Sequence, residues 1–95
     1  MPRFVVCYDI TSDQRRRQVA ACLDAYGDRV QDSVFEMRVD GVLFDTCLSE
    51  LSGLIDATED NIAVYRLCAP CEKGRFYLGT GEKDERVGEE DVFIA

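Results

Sequence analysis

Histidine and tryptophan are absent from this chain, proline occurs only twice, and no apolar run approaches the roughly 18 residues of a membrane helix. Each gap removes a class of function. Without histidine there is no His-activated serine or cysteine nucleophile and no two-histidine ribonuclease mechanism. No GxxxxGK[ST] run offers a cradle for ATP or GTP phosphates, and Gly79-Thr80-Gly81 is too short to stand in for one. What is left for catalysis is carboxylate chemistry with a metal. Met1-Pro2-Arg3 leads straight into strand-forming residues, so no signal peptide or membrane association is expected and the default address is cytoplasmic.

What is present fits one small domain. Ninety-five residues bury a modest core, which dimerisation would naturally supplement. Cys7, Cys22 and Cys47 lie inside apolar stretches and read as small core hydrophobes. Cys68 and Cys71 form a CxxC, but no histidine and no second CxxC completes a four-ligand zinc site, so the pair reads as reduced, structural and metal-free. The formal net charge of −8 argues against indiscriminate nucleic-acid binding. Its distribution qualifies that reading. Residues 1–38 balance six arginines against six acids, whereas residues 39–60 hold six acids and no base. A modest basic patch on the first half of the chain remains open.

The order of elements is legible. Arg3 to Tyr8 is a run of strand formers ending at Asp9. Thr11 or Ser12 can cap a helix over 12–26, whose Val19, Cys22, Leu23 and Tyr26 fall on one stripe before Gly27 stops it. Residues 29–39 alternate as extended structure, and a bend near Ser33 would divide them into two short strands. A second amphipathic helix is expected over 42–57, a third strand-like run over 61–68 closed by Pro70, and a further short strand over 75–78. Two helices on one face of an antiparallel sheet are the economical packing of this order: an α+β, ferredoxin-like β-α-β-β-α-β sandwich over residues 1–80. Residues 81–95 read as a charged linker ending in apolar Val92-Phe93-Ile94. That terminus can add as a strand to a partner's sheet edge or close its own sheet.

Asp9 is the carboxylate to weigh, because a charge at the end of a buried strand is held rigidly yet open to solvent. It can equally be a helix cap. Arg15, Arg16 and Arg17 occupy the first turns of the following helix, where cations oppose the helix dipole unless they meet an anion such as phosphate. A solvated basic face is the alternative. Tyr8 and Phe35 are more often core than base-stacking residues.

At these residues a resemblance enters. Tyr8-Asp9-Ile10, Arg16, and the segment from Tyr26 through Gly27-Asp28-Arg29-Val30-Gln31-Asp32-Ser33-Val34-Phe35 to Glu36 are similar to the signature of the small CRISPR-associated endoribonuclease of the spacer-acquisition system. The likeness runs through the second helix and the strand at Asn61–Leu67. It implies a homodimer in which two copies of Asp9 share one Mg²⁺, with Tyr8, Arg16, Arg29 and Phe35 as supporting catalytic residues. It further implies Mg²⁺-dependent cleavage of single-stranded RNA or double-stranded DNA, a bridging role between two dimers of the CRISPR-associated integrase in a heterohexameric complex on protospacer DNA, and a C-terminal strand that crosses to the other subunit. Arg15, Arg16, Arg17 and Arg29 would then meet nucleic acid. This chain departs from the pattern in its acidity, in Gln18 where some members carry a base, and in Cys68-Ala69-Pro70-Cys71 where an apolar-Pro-apolar turn is common. The readings to separate are a metal-dependent nuclease and a purely structural adaptor. A small-molecule-sensing regulator would need a polar ligand-binding loop that the sequence does not show.

Overall fold

β1 (Arg3–Asp9) is the strand on which the rest of the molecule is assembled, because both of its edges are paired. A computed structural model describes residues 1–76, 78 and 79. In it β1 is followed by α1 (Asp13–Asp24), β2 (Gly27–Gln31), β3 (Val34–Arg38), α2 (Gly41–Leu54), β4 (Asn61–Leu67) and a short α3 (Ala69–Lys73). The four strands form one antiparallel sheet in the order β2-β3-β1-β4, the ferredoxin-like arrangement expected from the sequence.

Strand alternation decides which side is core. Phe4, Val6 and Tyr8 share one face of β1, and the register sets Met37 opposite Phe4, Phe35 opposite Val6, and Ile62 opposite Tyr8. α1 seats Val19, Ala20 and Leu23 against that face, and α2 seats Cys47 and Leu51. Phe44 of α2 stacks on Phe4 at 4.0 Å between ring centroids. Cys47 is a core hydrophobe as expected, whereas Cys7 and Cys22 are only half-buried.

The other face of the sheet carries Arg3, Val5, Cys7 and Asp9 from β1, beside Arg38, Glu36 and Val34 from β3 and Leu67, Tyr65, Ala63 and Asn61 from β4. Glu72 of α3 reaches Arg3 and Arg38, so α3 lies over the Arg3 end of this face and away from Asp9. Tyr65 is exposed in the middle of it.

Several boundaries move for identifiable reasons. α1 starts after Ser12, whose side chain accepts from the Arg15 N–H at 3.2 Å, so Ser12 and not Asp9 caps the helix. Its C-cap is Ala25, and Gly27 is the first residue of β2. Glycine is required at 27 by close approach: a Cβ there would lie 2.2 Å from the Glu36 carbonyl oxygen and 2.7 Å from the Met37 Cβ. The second helix ends at Leu54, three residues short of the expected 57. The bend near Ser33 is a turn between β2 and β3. Of the short strand expected over 75–78, the described residues Arg75, Phe76 and Leu78 lie in no strand. Ahead of these residues the chain forms α3, because Cys68 caps it and Pro70, in the first turn, needs no N–H partner there. The linker and terminal strand expected over 81–95 lie outside the described residues.

Candidate functional site

Asp9 ends β1 where the β2–β3 turn, the start of α1 and the α2–β4 loop converge. Opposite it in the sheet stands Asn61. Asp9 is exposed, and among the described residues no hydrogen bond or ion pair reaches its carboxylate. The turn and loop beside it are tied down.

Tyr8 fastens the β2–β3 turn twice, donating its hydroxyl to the Asp32 carbonyl at 2.9 Å and its backbone N–H to the Ser33 carbonyl at 3.1 Å. Its ring lies 6.2 Å from that of Phe35. Desolvation pushes the Tyr8 phenol above its ordinary pKa, against the opposing pull of the Arg29 and Arg16 charges. Phe35 is wholly buried and Tyr8 nearly so, so both support the site from beneath and neither offers a ring for base stacking. Arg29 is exposed, its guanidinium 5.3 Å from the centre of the Phe35 ring.

The three arginines of α1 have separate fates. Arg15 is engaged internally: its Nε donates to Asp60 Oδ2 at 2.7 Å, and its Nη2 meets Glu59 Oε1 at 3.0 Å. Asp60, with its side chain fully covered, also accepts from the Thr11 N–H at 3.3 Å and the Asp56 N–H at 2.9 Å. The Arg15 hydrogen bond, then that from the Asp56 N–H, outweighs desolvation and holds the Asp60 pKa down at about 2. This clamp fixes the loop just beyond Asp9. Arg16 donates to the Ile10 carbonyl at 2.8 Å and pairs with Asp13, closing the same loop from the helix side. Arg17 is exposed, with no ion pair or hydrogen bond among the described residues. Of the four arginines named for this end, Arg17 and Arg29 are thus the ones without an ion pair among the described residues.

The sequence reading named Asp9, Tyr8, Arg16, Arg29 and Phe35, and the fold brings all five to one end of the sheet. It did not name Asp60 and Glu59, and it named Thr11 only as a possible helix cap. An acid spaced four residues from Asp56 and directly preceding a strand was the available signal, and it reads the same as a solvated loop. At the opposite end of β1 a second unforeseen cluster joins Arg3, Glu36, Glu72, Arg38 and Arg75. Although burial opposes ionisation of Glu72, the Arg3 hydrogen bond and the charges of Arg38 and Arg75 hold its pKa below the ordinary value.

Among the described residues no three His, Cys, Asp or Glu side chains gather into a metal site. One exposed carboxylate oxygen pair is a hard donor suited to Mg²⁺, but a cation of that kind is completed by further oxygens.

The profile of the family described as CRISPR associated protein Cas2 matches residues 1–75. The chain belongs to the Cas2 family. It is 51% identical over 79 residues to the CRISPR-associated endoribonuclease Cas2 4 of Rhodospirillum rubrum, a match covering 83% of this chain and 64% of that relative. The chain thus spans a little under two thirds of that relative's length. The crystal structure of Streptococcus pyogenes Cas2 superposes with a TM-score of 0.73 at 33% identity, covering 81% of this chain and 99% of that one. A chain in a partial Cas6-RT-Cas1–Cas2 complex superposes with a TM-score of 0.68 at 29% identity, covering 79% and 88%.

Proposed function

We propose that this Cas2-family chain is a CRISPR spacer-acquisition subunit: a homodimeric scaffold that spaces two integrase dimers along protospacer DNA in the cytoplasm. The observation that carries it is the poverty of reactive groups around Asp9. A nuclease centre of the usual two-metal kind gathers several carboxylates, and here, among the described residues, one carboxylate stands alone while Arg15 and Arg16 are turned inward to hold the loop. A rigidly clamped end with two outward arginines suits positioning of a duplex backbone better than turnover. The complex containing Cas1 and Cas2 among the structural neighbours supports the partnership. The open sheet face, with Val5, Cys7, Val34, Ala63 and Tyr65 side by side, supports pairing with a second copy.

The second reading is Mg²⁺-dependent endonuclease activity on single-stranded RNA or duplex DNA, favoured by an Asp9 carboxylate without a partner among the described residues and by the endoribonuclease name of the Rhodospirillum relative. Two Asp9 carboxylates, one per subunit, would hold the ion. Bound there, Mg²⁺ would acidify water and offset phosphate charge. Asp9 would orient its ligands, Arg29 would bind the phosphate, and Arg16 and Tyr8 would keep the loop and turn in place.

The test pairs assembly with cleavage. Wild type and Asp9→Ala are mixed with integrase and protospacer duplex, and separately with single-stranded RNA and duplex DNA with and without Mg²⁺. Assembly by both proteins without Asp9-dependent cleavage is the expected result. Mg²⁺-dependent cleavage lost in Asp9→Ala would add the nuclease, and failure of the wild type to assemble would overturn the scaffold.

A further inference from the structure

The CxxC that no part of this function uses has a geometry of its own. Cys68 and Cys71 are both exposed, and their sulfurs stand 2.8 Å apart, well inside van der Waals contact for two sulfurs. Their approach is set by the backbone. Cys68 is the N-cap of α3, and its Sγ accepts the Cys71 N–H at 3.4 Å, folding the two thiols onto one another across a single turn. Among the described residues neither thiol is covered, and no third metal-ligating side chain joins them, which leaves the sulfurs to each other.

We propose that Cys68 and Cys71 form a reversible dithiol–disulfide site, with Cys68 the attacking sulfur and Cys71 the resolving one, that exchanges with low-molecular-weight disulfides and thiols.

The order of attack follows from how the two thiols differ. The hydrogen bond from the Cys71 thiol, then that from the Cys71 N–H, stabilises a Cys68 thiolate and lowers its pKa, while Cys71 is raised chiefly by that same thiol contact. The chemistry balances with a small disulfide RSSR as oxidant. The Cys68 thiolate attacks one sulfur of RSSR, breaking its S–S bond and releasing RS⁻, which leaves a mixed disulfide Cys68–S–S–R. Cys71, giving up its proton, attacks the Cys68 sulfur and expels the second RS⁻. In total two cysteine thiols and RSSR become one Cys68–Cys71 disulfide and two RSH, the protein being oxidised by two electrons and RSSR reduced. Stabilisation of the reduced thiolate makes the resulting disulfide easy to reduce, which marks a labile bond and not a structural one. The ring enclosed by so short a loop removes little chain entropy, so its role is response to redox poise and not stability. Glu72 follows Cys71 directly and its carboxylate joins Arg3 to Arg38, so the site sits against the ion network over the sheet.

The full-length reduced protein is equilibrated in buffers of graded reduced-to-oxidised glutathione ratio, acid-quenched, unfolded, alkylated and mapped by mass spectrometry. The peptide holding Cys68 and Cys71 is expected to pass from doubly alkylated to unalkylated and two hydrogens lighter, with a midpoint inside the buffer range. Cys7, Cys22 and Cys47 stay alkylated throughout. Cys71→Ser is expected to trap glutathione on Cys68, and Cys68→Ser to react about tenfold more slowly at Cys71. Far-UV circular dichroism confirms that both variants are folded. The proposal is overturned if the pair stays doubly alkylated in the most oxidising buffer, or if glutathione adducts accumulate in wild type without ring closure. Stoichiometric zinc in the purified protein that shields both thiols would overturn it as well.

Discussion

β1 carries a charge at each end, and the two ends could hardly differ more. Arg3 is 3% exposed and its guanidinium meets Glu36 at 2.9 Å and Glu72 at 3.0 Å. Asp9, six residues on and on the same face, is exposed and unpartnered among the described residues. A charge in a closed network belongs to the architecture, since removing it strands its partners in low dielectric. A charge presented by a rigid strand with no internal partner costs the fold little to keep and little to lose. The comparison separates what holds this protein together from what it can offer to a ligand.

The sharpest way to break the comparison is to neutralise each end in turn. Arg3→Met removes the closest cation shared by Glu36 and Glu72, leaving Arg75 near both and Arg38 on Glu72, and is expected to cost about 3 kcal/mol, the low end for a broken buried pair. A domain of this size then loses upwards of about 12 °C in Tm, since each kcal/mol is worth about 4–8 °C. Asp9→Asn is expected to stay within about 0.5 kcal/mol of wild type by the same thermal melt. Equal destabilisation by the two changes would dissolve the distinction.

The close packing at Gly27 provides the next effect. Gly27→Ala pushes a methyl to 2.2 Å from the Glu36 carbonyl and must prise β2 from β3, so a loss of about 1–3 kcal/mol is expected in urea denaturation. Because β2 carries Arg29, affinity for duplex DNA should fall alongside stability.

Acid titration probes the clamp beyond Asp9. The Asp60 pKa lies at about 2 in the folded protein, below its ordinary 3.8, so the native state binds fewer protons than the unfolded chain between those values. Its contribution is therefore complete above about pH 4 and is lost as pH falls toward 2. Asp60→Asn should flatten the fall in Tm across that window while lowering Tm at neutral pH. An unaltered acid slope in the variant would remove Asp60 from the clamp.

The smallest effects sharpen the division among the arginines. Arg17→Ala and Arg29→Ala should each weaken duplex binding about equally across sequences and flatten the dependence of log K on log salt by about one unit. Arg15→Ala should leave that slope unchanged, because its guanidinium is already neutralised by Asp60 and Glu59. A reduced slope for Arg15→Ala would show that the clamp opens on binding.

How much of this was readable in advance depends on the range of the interaction. Strands and helices declared themselves through local period: Val19 and Leu23 on one stripe, Phe35 and Met37 on one face of β3. With the Tyr8-Asp9-Ile10 and Tyr26-to-Glu36 segments they were enough to imply the ferredoxin-like order and the family. α3 escaped because five residues are too few for a helical period, and Pro70, read as the end of a strand, also opened a helix.

Charge partners were beyond reach for a different reason. Arg15 and Asp60 stand 45 residues apart, and Arg3 and Glu72 stand 69 apart. Local sequence placed Arg15 beside two identical neighbours and left all three equally available to a phosphate. Pairing across the α2–β4 loop withdrew Arg15, and the carbonyl of Ile10 withdrew most of Arg16. Periodicity tells which side of an element meets the core, because burial of apolar area is additive along the element. Which charges cancel depends on register and loop closure between distant segments, and that emerges only when the chain is folded.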